Sequence, residues 1–372
     1  MAREQAWTVA VLGASGYTGA DLLRLLVGRE DVRIAALTAE RHRGARIGDV
    51  FAHLAGFDLP PLVGIEEVDW RALAPDVIFC ALPHATSGAA IVRILKAMDH
   101  PLLLDEKEEG RLAHATRFID LSADFRLVDP DVYAEWYGRS HPAPMLQERA
   151  VYGLSEWNRE AIAQAPLVAC PGCYPTAALL ALLPLIVQEG GPLIAPEPIV
   201  IDAKSGVSGA GRGLKPEMLF CEVAEAVRPY GVGRHRHMPE IEQELSRAFG
   251  HELTISFTPH LVPMNRGELV TCYVRCAAGV TVADLKQALH SRYAEEPFIL
   301  VPEDDRVPAT RDVRGSNRAL VNVFADRRAG HAIVIAAIDN LVKGSSGQAV
   351  QNMNLMLGIE ETRGLEACPI FP

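Results

Sequence analysis

The sequence has no hydrophobic run long enough to cross a membrane, no excess of positive charge and no even set of cysteines. Its longest apolar stretch, 177–187, falls well short of the ~20 residues that a bilayer requires, and it contains Pro184. The 372 residues carry 36 Lys and Arg against 47 Asp and Glu, a net charge of −11. This balance argues against nucleic acid or an anionic membrane as a partner.

The seven cysteines are an odd number in a long chain, which favours the reducing cytoplasm over a disulfide framework. Residues 1–7 include an acidic side chain and no apolar run, so we expect no signal peptide. Apolar residues make up 49% and charged residues 22%, so the chain can bury a core. At about 150 residues per domain, its length predicts two domains. Any anionic ligand must be held by local cations.

A strand, a glycine-rich turn and a helix open the chain. The apolar run 8–12 is followed by a G-x-x-G-x-x-G turn and an amphipathic helix, and a second strand, 32–37, begins about 20 residues later. Glycines at such a turn let backbone N–H groups approach a pyrophosphate. The pattern therefore predicts a dinucleotide site, with an ordinary strand–helix turn as the alternative. The candidate contacts are Gly13, Ser15, Gly16, Tyr17, Thr18 and Gly19.

The residues after the second strand bear on the choice between NAD and NADP. An acidic side chain there would pair with the ribose hydroxyls, and an arginine would accept a 2′-phosphate. Thr38 and Arg41 predict NADP, with Arg43 close by, whereas Glu40 argues for NAD. A solvated charged loop is the alternative interpretation.

Two further strands, 77–82 and 118–121, and a helix at 89–98 continue the alternation of a parallel α/β sheet. Arg126 follows the second of these strands, where an arginine can hold a phosphate or carboxylate, or form a structural salt bridge. The charged stretch 105–110 predicts a solvated loop without a function.

Cys173 is the strongest candidate for chemistry. It lies in C-P-G-C-Y-P-T, directly before an apolar helix with Pro175 in its first turn. The N–H groups and dipole at a helix N-terminus favour the thiolate, which is the nucleophilic form. A thiolate there suits covalent catalysis on an activated carbonyl. The alternatives are a Cys170–Cys173 dithiol, a pair of metal ligands, or inert core cysteines.

The second half predicts an α+β domain with two candidate ligand loops. The strand 199–203 leads into a loop of small residues and hydroxyls, 204–213, with Lys204 and Arg212 near its ends, which can surround an anion. His235 and His237 follow, flanked by Arg234 and Arg236. A histidine near a cysteine nucleophile offers acid–base catalysis near neutral pH. No further ligand completes a zinc set, and the alternatives are a flexible loop and a basic turn.

The remaining elements predicted for this half are helices at 239–249 and 282–293 and strands at 253–258, 269–277, 319–325 and 331–337. Glycines and hydroxyls at 344–347 then open a last helix that ends near 357. We expect this helix to return to the first domain and border the cofactor site.

Taken together, these motifs resemble the N-acetyl-gamma-glutamyl-phosphate reductases of the arginine pathway. The matching segments are 13–19, 121–127, 171–176, 205–212, 235–241 and 343–352, in family order and across nearly the whole chain. The stretch 101–114 looks longer than the family usually has.

The resemblance implies a Rossmann domain at 1–170, joined by the C-terminal helix 341–372, and a catalytic and oligomerisation domain of the semialdehyde dehydrogenase type at 171–340. It implies a cytoplasmic homodimer or homotetramer without a metal, which reduces an acyl phosphate with NADPH and releases phosphate. Cys173 would be the nucleophile, and the pair His235 and His237 would contain the acid–base residue; His237 is favoured, but the sequence does not separate the two. The further contacts it implies are Ser205, Gly206, Gly347 and Asn352 for the cofactor, and Arg126, Ser208 and Arg212 for the substrate.

The sequence leaves two other functions open. One is reduction of a different acyl phosphate, such as aminoadipyl or aspartyl phosphate. The other is a non-enzymatic NADP-binding redox sensor that uses Cys170 and Cys173.

Overall fold

The computed structural model describes residues 6–103 and 115–371. They form two compact units: the first runs to Pro171 and includes Ser345–Leu365, and the second comprises Gly172–Gly344 and the segment that begins at Glu366. The last residues thus group with the second unit, whereas the sequence interpretation placed all of 341–372 with the first. The charged stretch 105–110, and most of 101–114, lie outside the described residues.

A parallel sheet forms the centre of the first unit. Its strands are β1 (Trp7–Leu12), β2 (Val32–Thr38), β3 (Leu62–Val63), β4 (Val77–Cys80), β5 (Arg117–Asp120), β6 (Val151–Tyr152) and β7 (Leu167–Ala169). In the described part of the chain their order is β3-β2-β1-β4-β5-β7-β6, with all neighbours parallel. The order reverses between β1 and β4, and at such a point ligands bind at the carboxyl ends of the strands.

Helices cover this sheet because its strands are apolar on both faces. They are α1 (Tyr17–Leu26), α2 (Ile47–Val50), α3 (Trp70–Leu73), α4 (Ser87–Ala97), α5 (Pro130–Tyr137), α6 (Pro144–Gln147) and α7 (Ser155–Gln164). Ile91 and Leu95 of α4, for example, are buried in one cluster with Ile78 and Phe118 of the sheet. Full burial of such side chains contributes roughly 1.5–3 kcal/mol each.

The second unit contains a mixed sheet. Its strands are β8 (Val200–Gly206), β9 (Arg228–Pro229), β10 (Ser256–Val262), β11 (Glu268–Arg275), β12 (Ile299–Leu300), β13 (Ala319–Ala325) and β14 (His331–Ile338). Among the described residues their order is β12-β13-β14-β11-β8-β10-β9. β8 runs parallel to β10, and β11 lies antiparallel to β8 and β14.

Helices α8 (Cys173–Ile186), α9 (Phe220–Val223), α10 (Met238–Phe249) and α11 (Val282–Tyr293) belong to the second unit. From Tyr174 onward α8 is buried on every side. It packs against β11 and β14 and against α10 and α11, which explains why its sequence is apolar all round rather than amphipathic. The last helix, α12 (Gly347–Leu357), groups with the first unit and packs on α7.

The predicted loop 204–213 differs from the observed structure at its start. Lys204, Ser205 and Gly206 continue β8, because they pair with residues 260–262 of β10 and 267–269 around the start of β11. β10 itself occupies 256–262 rather than 253–258. No helix among the described residues is long and apolar enough to cross a membrane.

We predict that alanine is tolerated at Gly16 but not at Gly13. Gly13 has φ +75°, and a Cβ there would lie 2.3 Å from the carbonyl oxygen of Ala81. Gly16 has φ −84°, and its nearest neighbour to a Cβ would be 3.5 Å away. In urea unfolding, Gly13→Ala should lose about 2 kcal/mol or more, and Gly16→Ala about 0.5 kcal/mol or less. Equal losses would contradict the tight packing of this turn.

Candidate active site

The glycine turn of the first unit is held between three strands. The amide of Gly13 donates to Thr38 Oγ1 (3.4 Å), and that of Ala14 to the Thr38 carbonyl (2.9 Å). A Cβ on Gly19 would lie 2.7 Å from the carbonyl oxygen of Gly13, so α1 begins directly against the turn. Only glycine permits these approaches at positions 13 and 19.

The accessible side of this turn suits a pyrophosphate. Ser15, Gly16 and Thr18 are half-buried and Tyr17 is exposed, at the N-terminus of a ten-residue helix. Amide donors and the positive end of the helix dipole therefore lie at the carboxyl edge of β1. The residues present fit the phosphates of a dinucleotide.

The charged residues after β2 differ in their contacts. Arg43 pairs with Glu40 (Nη2–Oε2, 2.6 Å) and lies 3.9 Å from Glu67. Arg41 is exposed and forms no ion pair or hydrogen bond with the part of the chain that is described. Thr38, the last residue of β2, is buried. Glu40, the residue whose charge favours NAD in the sequence, thus forms an ion pair with Arg43.

Three other predicted contacts of the first unit bind the protein itself. Arg126 is buried, and its Nε donates to the carbonyl of Cys170 (2.7 Å). Asn352 on α12 accepts from Ser155 Oγ (2.7 Å), and its Nδ2 lies 3.5 Å from the Cys170 sulfur. Gly347 is buried at the start of the same helix. These contacts fix the chain around Cys170.

Cys170 is an unsuitable redox partner. It is buried, and burial raises the pKa of its thiol to about 12. Disulfide exchange requires an accessible thiolate, so a thiol of this kind reacts slowly. All seven cysteines are free in the structure.

In the second unit, the peptide before Cys173 is fixed by α10. Cys173 is the first residue of α8 and is half-buried. The amide of Gly172 donates to Glu240 Oε1 (2.8 Å), a carboxylate that is itself buried. The amides of Cys173 and Tyr174 belong to the first turn of the helix, where backbone N–H groups have no carbonyl acceptor within the helix itself.

His237 lies against this peptide. A Cβ on Gly172 would be 2.5 Å from Nε2 of His237, so the glycine makes room for the imidazole. His235 packs against His237. Its Nδ1 accepts a hydrogen bond from the amide of His237 (3.2 Å), and its ring contacts Tyr174, Tyr230 and Phe257. Burial, with a smaller contribution from Arg236, lowers the pKa of His235 to about 4. His235 is therefore neutral at pH 7 and supports His237.

The other side of Cys173 is equally crowded. A Cβ on Gly344 would lie 2.7 Å from the Cβ of Cys173. Glu268, the first residue of β11, is fully buried and interacts with the Cys173 thiol. Burial is the main cause that raises the pKa of Glu268 to about 8.

The predicted substrate loop lies at the end of β8. Ser208 accepts from Asn340 Nδ2 (3.0 Å), and Arg212 is exposed. Ser205 is buried and donates to the carbonyl of Gly206 (3.1 Å). A Cβ on Gly206 would lie 2.8 Å from the carbonyl of Met264, which gives that glycine a packing function.

Two family models match the chain. The NAD binding domain of semialdehyde dehydrogenase matches residues 8–102, and the dimerisation domain of semialdehyde dehydrogenase matches residues 173–340. The N-acetyl-gamma-glutamyl-phosphate reductase of Rhodospirillum rubrum is 55% identical over 98% of this chain and 98% of its own length. That of Afipia carboxidovorans is 50% identical over 96% and 97%. This chain belongs to the N-acetyl-gamma-glutamyl-phosphate reductase family.

Solved structures agree on the fold. Aspartate semialdehyde dehydrogenase II from Vibrio cholerae is 19% identical, with a TM-score of 0.68 over 95% of this chain and 99% of that one. The Candida albicans aspartate semialdehyde dehydrogenase with NADP is 16% identical, with a TM-score of 0.64 over 95% and 99%. The predicted fold class, a Rossmann domain plus a semialdehyde dehydrogenase domain, is confirmed.

As a member of the N-acetyl-gamma-glutamyl-phosphate reductase family, the chain is an oxidoreductase of amino-acid biosynthesis with a nicotinamide cofactor and a small-molecule substrate. The predicted enzyme class is confirmed. Within the described residues, no group of three or more His, Cys, Asp and Glu side chains could hold a metal ion.

Two residues of this family member were missed in the sequence. Glu240 follows the histidine pair at the start of α10, and its contact with Gly172 depends on how α10 packs against α8. Glu268 carries a local signal, because the alternation of buried Val270, Cys272 and Val274 continues back to it. An acidic residue at an inward position of a strand is unusual enough to mark a candidate site.

Proposed function

We propose that this chain reduces N-acetyl-gamma-glutamyl phosphate to N-acetylglutamate semialdehyde with NADPH and releases phosphate. The observation that carries the proposal is the placement of Cys173 at the N-terminus of α8, with the His237 imidazole packed on the preceding glycine. The substrate is the one named for the relatives that are about half identical.

The chemistry begins at sulfur. Cys173 attacks the carbonyl carbon of the acyl phosphate, and the C–O bond to phosphate breaks to leave a thioester. The helix-opening amides of Cys173 and Tyr174 stabilise the oxyanion, since the amide of Gly172 is already held by Glu240. His237 donates a proton to the leaving phosphate oxygen. Bound NADPH supplies the hydride that reduces the thioester to the aldehyde level.

The first unit is the cofactor domain in this proposal. The turn 13–19 binds the pyrophosphate and Arg41 binds the 2′-phosphate, beside Thr38. Gly347 and Asn352 of this unit are proposed to support the cofactor domain by holding backbone, and Ser205 and Gly206 of the second unit are proposed as further cofactor contacts. Arg212 and Ser208 bind the anionic substrate, and Arg126 supports the segment before Cys173.

We further propose that the protein is a cytoplasmic homodimer or homotetramer. The match of 173–340 to a dimerisation domain supports the oligomer. The seven free cysteines support a reducing compartment.

We predict that turnover depends on Cys173 and His237 and much less on His235. The assay is phosphate-dependent oxidation of N-acetylglutamate semialdehyde by NADP. Cys173→Ser should lose essentially all turnover, and His237→Asn about 100-fold, because one acid–base group contributes at least that much. His235→Asn keeps an acceptor for the His237 amide and should lose less than tenfold. Cys221→Ser, at an exposed position of α9, is the control and should match the wild type.

The same assay distinguishes between the candidate substrates. Aspartate semialdehyde and aminoadipate semialdehyde should give far lower kcat/KM than N-acetylglutamate semialdehyde. Activity of Cys173→Ser, or a preference for one of the other aldehydes, would overturn the proposal.

We also predict that Arg41 sets the preference for NADP. Charge-assisted contacts are worth about 1.5–3 kcal/mol, so Arg41→Ala should raise KM for NADP about tenfold or more and leave KM for NAD unchanged. Arg43→Ala is the matched control, because Arg43 is already paired with Glu40. An equal effect of both substitutions, or none from Arg41→Ala, would refute this assignment.

A further inference from the structure

Glu268 is a buried carboxyl group without an ordinary partner. Its exposure is 0%, and neither carboxyl oxygen has a hydrogen-bond partner in the described part of the chain. A buried carboxylate that lacks such donors is strongly disfavoured. A residue of this kind in the middle of a well-packed sheet requires an explanation, and its position in the strand supplies one.

The backbone aims Glu268 at the start of α8. In β11 it pairs with Ser205 of β8 on one side and Ile338 of β14 on the other. Its side chain lies on the face that carries Val270 and Cys272, the face that packs against α8. The group with which it interacts there is the thiol of Cys173.

Several acidic groups lie near this pair, and one of them, Asp339, is itself paired with Arg266 (3.4 Å). Asp339, Tyr174 and Tyr230 interact electrostatically with Glu268. Burial raises the pKa of Glu268 to about 8, with Asp339 adding to the shift and Cys173 opposing it. A carboxyl group so perturbed takes up and releases a proton near the working pH, whereas an ordinary glutamate is a weak base there.

We propose that Glu268 accepts the thiol proton of Cys173 when the sulfur attacks the substrate, and returns it when the aldehyde leaves. The proposal rests on Cys173 being the nucleophile. It divides the proton chemistry between two groups: Glu268 acts on the sulfur and His237 on the leaving phosphate.

The step balances in protons and electrons. The S–H bond breaks as the S–C bond forms, the proton passes to a Glu268 oxygen, and the carbonyl electron pair moves to oxygen. After reduction, the C–S bond breaks with its electron pair on sulfur, and sulfur recovers the proton from Glu268. The proton that His237 gives to phosphate is replaced from solvent.

The test compares Glu268→Gln with the wild type in two measurements. The first is kcat/KM for N-acetylglutamate semialdehyde between pH 6 and 10. In the wild type it should rise as Glu268 ionises near pH 8, because attack needs the carboxylate. Glu268→Gln has the same shape but cannot accept a proton, so kcat/KM should fall about 100-fold and that ionisation should vanish from the profile.

The second measurement is alkylation of Cys173 by iodoacetamide in H₂O and D₂O, followed by peptide mass spectrometry. Proton transfer to Glu268 during attack should make the wild-type reaction slower in D₂O. Glu268→Asp keeps a carboxyl group and should keep this effect, whereas Glu268→Gln reacts only as preformed thiolate and should lose it. The measurement needs no cofactor and no turnover.

Glu244→Gln is the matched control, since Glu244 is a buried carboxyl on α10 that bonds to Gln243 and Arg247. It should keep the wild-type kcat/KM and isotope effect. An unchanged or raised kcat/KM in Glu268→Gln would overturn the inference. Equal wild-type rates in H₂O and D₂O would do the same, even if the glutamine variant failed to fold. Turnover by Cys173→Ser would instead overturn the proposed function itself.

Discussion

The candidate site in the second unit depends on the close packing of neighbouring residues around the peptide Gly172–Cys173. Glu240 holds its amide, His237 occupies the space of a missing side chain at Gly172, and Gly344 approaches the Cβ of Cys173 from another direction. These neighbours come from two distant parts of the chain, since His237 and Glu240 lie together at the start of α10 and Gly344 follows β14. Because α8 is buried all along its length behind this peptide, the position of the sulfur is set by the core and not by a mobile loop.

The same packing explains the contrast between two thiols in one short motif. Cys170 is buried, and this burial raises the pKa of its thiol to about 12. Cys173, three positions later, opens a helix and lies beside a carboxyl group and an imidazole. Environment rather than residue type therefore separates the buried thiol of Cys170 from the proposed nucleophile. The net charge of −11 does not determine the reactivity of either thiol, since local contacts dominate in a buried site.

Periodicity and glycine spacing predicted the elements that have a strong local signal. The turn after β1 and the helix Val282–Tyr293 are examples, because a glycine triplet and a 3.6-residue period are local properties. The ends of strands were less predictable, because they are set by pairing with other strands. β8, for example, continues to Gly206. The functions of Arg126 and Asn352 in holding backbone, and the contact between Glu240 and Gly172, depend on residues distant in the sequence.

The most direct test of the account is to trap the acyl group on sulfur. The chain is incubated with N-acetylglutamate semialdehyde and NADP without phosphate, so that hydride leaves and nothing releases the thioester. Peptide mass spectrometry should then find one N-acetylglutamyl group on Cys173 for each NADPH formed in the first turnover. NADPH formation with no adduct, or an adduct on another residue, would contradict a mechanism that passes through Cys173.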